Sequence, residues 1–302
     1  MATIVSSAKD GDVVLALTKA VMPEIVQIVP DAGSHAANEV TLLAVALYDV
    51  VRATGRKCSF VLDEWDAPYR LAQSNTEAQD AYAEWLRSIF KNLNYTAFVV
   101  AGAYMTGILP IKKYNHQSAV SDFNEFTMVD PAQYVPYVGF GEAEVATLCE
   151  KHRIGQVDVR RGYDGYELPA FRPQGTQQSH VNICAPYSVM KAVERGSTGS
   201  YWPSTETFEE LRTYLDMNFE GLQADILRAI GGEELRVDPE KYQNDMVSIA
   251  SRDDVPTLLV QAGYPCYDRG TKRARVPNEE VHGELRRTVE GSRHDRKRSC
   301  SR

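Results

Sequence analysis

The residues with the clearest chemical potential are three carboxylates within four positions, Asp63, Glu64 and Asp66, which directly follow the apolar run Cys58–Leu62. Carboxylates this close at the end of a buried strand repel one another and need a cation or hydrogen-bond donors nearby. In open α/β sheets, ligands bind beyond the carboxyl ends of the strands. The pattern therefore predicts a Walker B-type phosphoryl-transfer site, in which Asp63 holds Mg²⁺ and Glu64 polarises an attacking water.

A second apolar run, residues 96–102, leads to Thr106 and Gly107. If both runs are parallel strands of one sheet, Thr106 lies at the same sheet edge as Asp63. A polar side chain there would lie between the acid and the γ-phosphate of a bound nucleotide. The alternative interpretation is that residues 106–107 form a simple turn and that the acids cap the next helix or stay solvated.

Helices are predicted on either side of the first strand. Apolar residues recur every three or four positions over residues 40–51, and Gly55 ends this helix. Ser74 and Glu77 form a capping box that opens the next one. Helix, buried strand, helix, buried strand is typical of a parallel sheet covered on both faces, so the fold class is predicted to be α/β.

The second half of the chain has a different pattern. We expect a loop over residues 162–201, which are rich in Gly, Pro, Gln and Tyr, and strand-like pieces near residues 264–267 and 274–276. The predicted helices cover residues 142–152, 207–215, 222–230 and 253–262. Helices followed by a small hairpin suggest a winged-helix-like region. The basic residues 285–302 are expected to be a disordered tail.

Composition limits the class of protein. Of the 302 residues 43% are hydrophobic and 25% charged, as in soluble proteins, and no apolar run approaches the roughly 20 residues of a membrane span. The net charge of −8 argues against a general nucleic-acid coat but leaves room for a local basic patch. No signal peptide is evident, and the five cysteines lack ligand spacing. We expect a cytoplasmic protein with reduced thiols and no membrane partner.

Several motifs follow one another in an order that resembles the bacterial AAA-ATPase-like family, whose members commonly carry a PD-(D/E)XK-type nuclease domain after the ATPase. The similarity covers roughly residues 15–284. The motifs are residues 63–68 (DEWDAP), 106–112 (TGILPIK), 117–126 (QSAVSDFNEF), 139–145 (GFGEAEV), 162–166 (GYDGY), 185–189 (APYSV), 201–205 (YWPST) and 277–281 (PNEEV).

The resemblance implies a P-loop ATPase fold, followed by helices and a winged-helix-like piece. Asp63 then takes the metal-binding role, Glu64 the water-activating role and Thr106 a sensor-like role in contact with the nucleotide, while Lys112 faces a phosphate. The implied cofactors are ATP and Mg²⁺, and the implied partners are nucleic acid and a protein partner or a second copy of the chain. The expected domains are an α/β core over residues 1–130, a helical and winged-helix-like region over residues 131–284, and the tail.

Two features of the family are missing from these 302 residues. There is no Gly-Lys-Ser or Gly-Lys-Thr phosphate loop, and Gly270-Thr-Lys272 follows no strand–loop–helix pattern. No Asp followed by Glu-X-Lys on paired strands indicates a nuclease. We therefore expect a chain truncated at both ends, with apolar surface exposed near Val40 and Leu43 and with weak or no ATP hydrolysis.

Two other functions remain open from the sequence. The first is a non-catalytic protein- or DNA-binding module built on a degenerate ATPase fold. The second is a metal-dependent hydrolase that uses Asp63, Glu64 and Asp66 directly as ligands.

Overall fold

The computed structural model describes residues 12–71, 75–107, 122–169, 180–202, 222–239 and 254–287, together with Thr3 and Val289. This part of the chain is a mixed α/β protein with small sheets of two or three strands. Two compact units are present, one formed by Met1–Glu125 with Gln243–Ser248 and the other by Phe126–Tyr242 with Ile249–Arg302.

The described elements of the first unit are α1 (Val13–Ile28), α2 (Glu39–Thr54), β1 (Cys58–Leu62), α3 (Ala67–Leu71), α4 (Thr76–Phe90), α5 (Leu93–Val99) and β2 (Val100–Met105). The described elements of the second unit are a 3₁₀ helix (Ala132–Tyr137), β3 (Phe140–Gly141), α6 (Glu142–His152), α7 (Gln156–Tyr163), β4 (Tyr166–Pro169), β5 (His180–Cys184), α8 (Pro186–Arg195), α9 (Leu222–Ile230), β6 (Leu235–Arg236), α10 (Asp254–Gln261), β7 (Cys266–Asp268), β8 (Arg273–Arg275) and α11 (279–287).

Helix α2 forms where the apolar periodicity predicts it. Asn38 and Thr41 make a capping box at its start, in which the Asn38 side chain accepts a hydrogen bond from the Thr41 amide at 2.9 Å. Gly55 ends the helix with φ 69°, a left-handed conformation that glycine adopts at little cost. Helix α2 thus begins and ends at local sequence signals.

Strands β1 and β2 are parallel, with Leu62 opposite Met105. The second strand starts later than predicted, because residues 96–99 belong to helix α5. Asn92 caps that helix by accepting a hydrogen bond from the Tyr95 amide at 3.3 Å. A short apolar run cannot distinguish a helix from a strand by periodicity alone, so this upstream cap was the missing signal.

In the described part of the chain, the parallel pair is not covered on both faces, contrary to the prediction. Val61 and Tyr104 lie opposite each other in the register and are 76% and 61% exposed. Leu43, where exposed apolar surface was expected, is instead only 3% exposed. The buried side chains of α4, including Tyr82, Leu86 and Ile89, contribute to the core of this unit.

The second unit contains two three-stranded antiparallel sheets in its described part, ordered β3-β5-β4 and β6-β8-β7. In both sheets the strand that comes last in the chain is central. The predicted loop over residues 162–201 is wrong in part, because β4, β5 and α8 lie within it. Strand β4 buries Tyr166 and Leu168 at alternate positions, and a segment this short is easily obscured by its Gly- and Pro-rich surroundings.

The remaining predicted elements of this unit have mixed outcomes. Helices α6, α9 and α10 and the hairpin β7–β8 form at or close to the expected positions. The predicted helix over residues 207–215 lies outside the described residues. Helix α11 includes the first residues of the predicted disordered tail, and Leu285 and Val289 are buried, so the folded part extends beyond residue 284.

Across the described ranges, none of the helices combines the length and the apolar character needed to cross a membrane.

Candidate functional site

The acidic segment is a tight turn between β1 and α3, and the end of β2 holds it in place. The Thr106 amide donates to the Leu62 carbonyl oxygen at 2.9 Å, and the Trp65 amide donates to the Thr106 carbonyl oxygen at 2.8 Å. These two bonds continue the parallel pairing beyond the last residues of both strands. The start of the acidic turn is therefore fixed relative to β2.

Thr106 also contacts this turn through its side chain. Its hydroxyl donates to Asp63 Oδ1, and the Glu64 amide donates to Thr106 Oγ1 at 3.3 Å. Asp63 is exposed and Glu64 is half-buried. The structure thus brings Asp63, Glu64 and Thr106 together at the carboxyl ends of two adjacent parallel strands.

Glu64 has a left-handed backbone conformation, with φ 53°. Residues other than glycine and asparagine rarely adopt this backbone conformation, which costs them on the order of 1–2 kcal/mol. The turn directs the chain from the exposed Asp63 to the buried Trp65 and Asp66, which are 4% and 0% exposed. Strain of this kind often accompanies functional sites.

Asp66 belongs to the interior and not to the exposed acidic edge. The Tyr82 hydroxyl donates to the Trp65 carbonyl oxygen at 3.0 Å, and the Tyr69 amide donates to the Asp66 carbonyl oxygen at 2.9 Å. Burial, and then the proximity of Tyr69 and Asp66, raises the pKa of Tyr82 well above its ordinary value. The three carboxylates therefore face two different environments.

Gly107 allows the close approach between the end of β2 and the acidic turn. A Cβ atom at this position would lie 2.7 Å from Trp65 Cδ1 and 2.8 Å from Asp66 Oδ1. Both neighbours are buried, so neither can move aside easily. The sequence indicated only a turn here, and nothing in it pointed to this close contact.

The arrangement of Asp63, Glu64 and Asp66 fits metal binding by one carboxylate better than binding by all three. Within the described residues, no group of three or more His, Cys, Asp and Glu side chains is arranged to hold a metal ion. Asp63, Glu64 and Asp66 do not form such a group, because Asp66 is buried while Asp63 is exposed. A Walker B acid needs only one exposed carboxylate in contact with a Mg²⁺-bound water, and Asp63 fits that requirement.

Two other phosphate-related candidates do not add to this site. Lys112 lies outside the described residues. Gly270-Thr-Lys272 forms the turn between antiparallel strands β7 and β8, where Asp268 accepts hydrogen bonds from the Gly270 and Thr271 amides at 2.7 and 3.3 Å. Partial burial would raise the pKa of Asp268, but these bonds outweigh it and lower the pKa. The two amides therefore bind a carboxylate of the same hairpin.

In the second unit, motifs far apart in sequence meet around one buried carboxylate. Glu280 on α11 accepts hydrogen bonds from Ser188 Oγ at 2.7 Å, from the Tyr201 amide at 2.6 Å and from the Trp202 amide at 3.1 Å. Glu280 is only 5% exposed. The hydrogen bonds of Glu280 thus hold together the segments around residues 188, 201 and 280. These contacts could not be predicted from the sequence, because the three segments are far apart in the chain and no local pattern links them.

The Gly162–Tyr166 motif also has a structural role. The Tyr163 hydroxyl donates to the Gly199 carbonyl oxygen at 2.9 Å and accepts from the Gly199 amide at 3.0 Å. Gly165 has φ 104° and packs against the Pro277 carbonyl, which leaves no room for a side chain. The Tyr166 hydroxyl donates to the Gly263 carbonyl oxygen at 2.8 Å. The motif is therefore a packed turn that connects α7 to β4.

Comparisons of this chain with protein-family models, with curated proteins and with solved structures found no match.

Proposed function

We propose that the first unit carries an ATPase-like nucleotide site of Walker B type that binds Mg²⁺ and ATP and hydrolyses ATP weakly or not at all. The observation that carries this proposal is the hydrogen bond between Thr106 and Asp63 at the carboxyl ends of the parallel strands β1 and β2. Parallel α/β proteins place phosphate ligands at this edge. The resemblance to the AAA-ATPase-like family, with its link to nucleic-acid processing, supports the same function.

Each residue of the site has a separate role in this proposal. Asp63 would hold Mg²⁺, and Thr106 keeps the Asp63 carboxylate in one orientation. Glu64 orients the attacking water, and its backbone turn places it next to Asp63. When bound, Mg²⁺ neutralises charge on the phosphates.

Weak hydrolysis follows from what these residues do not provide. Efficient transfer needs backbone amides around the β-phosphate and a lysine that reaches the γ-phosphate. The 302 residues contain no Gly-Lys-Ser or Gly-Lys-Thr, and Asp63, Glu64 and Thr106 supply neither group. The site is thus proposed to bind nucleotide through the metal more than through the protein.

A thermal-shift experiment tests this proposal. A ligand that binds only the folded state at about 100 times its Kd stabilises the protein by about 2.7 kcal/mol, so millimolar Mg²⁺ and ATP should raise the melting temperature. Asp63→Ala should remove that shift. Asp31→Ala, which removes an exposed carboxylate elsewhere in this unit, should retain it. An equal shift in Asp63→Ala would exclude the proposed metal role.

A second candidate function is a non-catalytic protein- or DNA-binding module. It is supported by the succession α9, β6, α10, β7 and β8, in which the sheet order β6-β8-β7 is that of a winged helix. Absence of any nucleotide-dependent shift, together with duplex binding by the full chain that substitutions of exposed residues in the β7–β8 hairpin weaken, would favour this candidate over the first.

A further inference from the structure

A second segment of the chain has the same arrangement of strands. Between Phe140 and Cys184 the order is β3, α6, α7, β4 and β5, and the last strand lies between the other two. Residues 153–155 connect the two helices. We propose that β3–β5 form another winged-helix-like module and that its α6–turn–α7 pair docks on double-stranded DNA. This proposal does not depend on the nucleotide site of the first unit.

The packing of the two helices leaves one side of each in solvent. Val145 and Cys149 on α6 and Val159 and Tyr163 on α7 belong to one buried cluster, together with Val189 on α8. These residues hold the helix pair against α8 and β5. The opposite faces of α6 and α7 are consequently presented on a rigid support, as a docking element requires.

The connection between the helices is short and well defined. Arg153 has φ 57°, and the Ile154 amide donates to the Cys149 carbonyl oxygen at 3.0 Å. Gly155 then precedes the first residue of α7. A three- or four-residue turn that often contains glycine is characteristic of DNA-binding helix-turn-helix units. In those units the second helix enters the major groove, a role that α7 would have here.

The end of α6 and the turn carry two cations that suit a phosphate backbone. Lys151 and Arg153 are both exposed. Within the described ranges, neither Lys151 nor Arg153 forms an ion pair, although most arginines of this unit do. A lysine at a helix C-terminus also stabilises the helix dipole, but Arg153 lies beyond the helix. Both side chains are thus available for contacts with phosphates.

Helix α7 presents an apolar side chain next to polar ones. Val157, in its first turn, is 77% exposed, and Arg161 lies one turn further on the same side. An apolar group can contact a thymine methyl and an arginine can bind guanine in the major groove. Arg161 is paired with Asp158 at 3.3 Å and with Glu279 at 3.1 Å, so it must exchange these exposed ion pairs for DNA. Binding should therefore be modest and depend on salt.

The test measures binding of the full chain to a labelled duplex of about 20 base pairs, two helical turns, by fluorescence anisotropy at several salt concentrations. The double variant Lys151→Gln/Arg153→Asn should reduce the slope of log K against log salt by about 2, because two phosphate contacts are lost. Asparagine tolerates the left-handed conformation at residue 153. Val157→Asp should weaken binding about tenfold, since it removes an apolar base contact and adds a negative charge.

A matched control removes the same charge from the other unit. Lys19→Gln/Arg56→Gln neutralises two exposed cations of the first unit and should leave affinity and salt slope unchanged. Circular dichroism should show that every variant is folded, as expected for exposed positions. The proposal is overturned if the full chain does not bind the duplex, or if the Lys151/Arg153 and Val157 variants bind like the unaltered chain. Neither result would affect the nucleotide-dependent shift assigned to Asp63.

Discussion

Two adjacent residues at the end of β2 have separate roles at the proposed site. Thr106 contacts the exposed Asp63 through its hydroxyl, whereas Gly107 packs against the buried Trp65 and Asp66. One residue thus orients the chemical group, and the other allows the turn that carries it to lie close to β2.

Gly107→Ala should destabilise the first unit without removing any hydrogen-bonding group. The added methyl would lie within 2.8 Å of Asp66 Oδ1, and overpacking a tight contact costs about 1–3 kcal/mol. Urea denaturation of the variant should show this loss. Gly102→Ala in β2 is the control, because a Cβ there would meet nothing within 4 Å. Equal stability of the two variants would contradict the close contact at Gly107.

Sequence reasoning was effective for some residues of the site and not for others. The approach of Asp63 and Thr106 could be inferred, because parallel strands that pair in register end at the same edge. The burial of Asp66 could not, since it depends on the left-handed conformation of Glu64, which residue type does not favour. The segment 63–66 contains three acidic residues, but fewer than three of them are accessible to a metal ion, because Asp66 is buried.

Helix α11 joins separate parts of the second unit. The Glu280 carboxylate binds one hydroxyl and two backbone amides, and Glu284, one turn later, accepts a hydrogen bond from the Ser200 hydroxyl. Both carboxylates are buried. Helix α11 therefore fixes the path of the chain around residues 200–202.

Glu280→Ala should lower the free energy of unfolding by about 3 kcal/mol or more, because each buried donor left without an acceptor costs about 1–3 kcal/mol. Glu279→Ala removes the preceding carboxylate, which is 65% exposed and forms an ion pair with Arg161. That control should change stability by about 0.5 kcal/mol or less. If urea denaturation showed similar losses of unfolding free energy in the two variants, the structural role of the Glu280 hydrogen bonds would be contradicted.

The second unit should lose stability in alkaline solution, in part through Tyr163. Burial, partly offset by the hydrogen bond with Gly199, raises the pKa of Tyr163 to about 12 from an ordinary value of 10.0. The unfolded chain therefore releases this proton at lower pH than the folded chain does. The resulting stabilisation is complete below about pH 10 and is lost as the pH rises toward 12.

Tyr163→Phe removes the titrating hydroxyl. A comparison of this variant with the unaltered chain therefore separates the pH dependence due to Tyr163 from that of all other groups. The difference in unfolding free energy between the unaltered chain and Tyr163→Phe should shrink between about pH 10 and pH 12. Urea denaturation at several pH values measures this difference. A difference that is constant with pH would mean that Tyr163 titrates alike in the folded and unfolded states.

Element prediction succeeded where local signals were complete. Helix α2 has a cap, an apolar stripe and a terminating glycine, and it forms as expected. Strands β4 and β5 were missed because each is only four or five residues long and owes its formation to pairing with the other. Such pairing is a tertiary interaction that composition does not reveal.

The chain consists of two compact units with different kinds of sheet. The first contains the parallel pair β1–β2, and the second contains two antiparallel sheets with the same strand order. The α/β character and the parallel pair could be inferred from apolar runs that alternate with helices. The repeated strand order could not, because the two segments that share it have no sequence similarity that indicates a repeat.

Truncation should show that the C-terminal boundary lies beyond residue 284. A chain that ends at residue 284 loses Leu285 and Val289, which are 6% and 1% exposed. Loss of each buried side chain costs on the order of 2 kcal/mol. This chain should melt at a lower temperature than one that ends at residue 290, which retains both side chains. Equal melting temperatures would contradict the packing of α11.

Isothermal titration calorimetry of ATP with the full chain measures whether Asp63 belongs to a metal-dependent nucleotide site. The titration is done with Mg²⁺, with EDTA, and with Mg²⁺ for Asp63→Ala. We expect binding with a Kd of about 1–100 μM in Mg²⁺ and no heat of binding under the other two conditions. Absence of heat in all three titrations, or binding that Asp63→Ala leaves unchanged, would contradict this expectation.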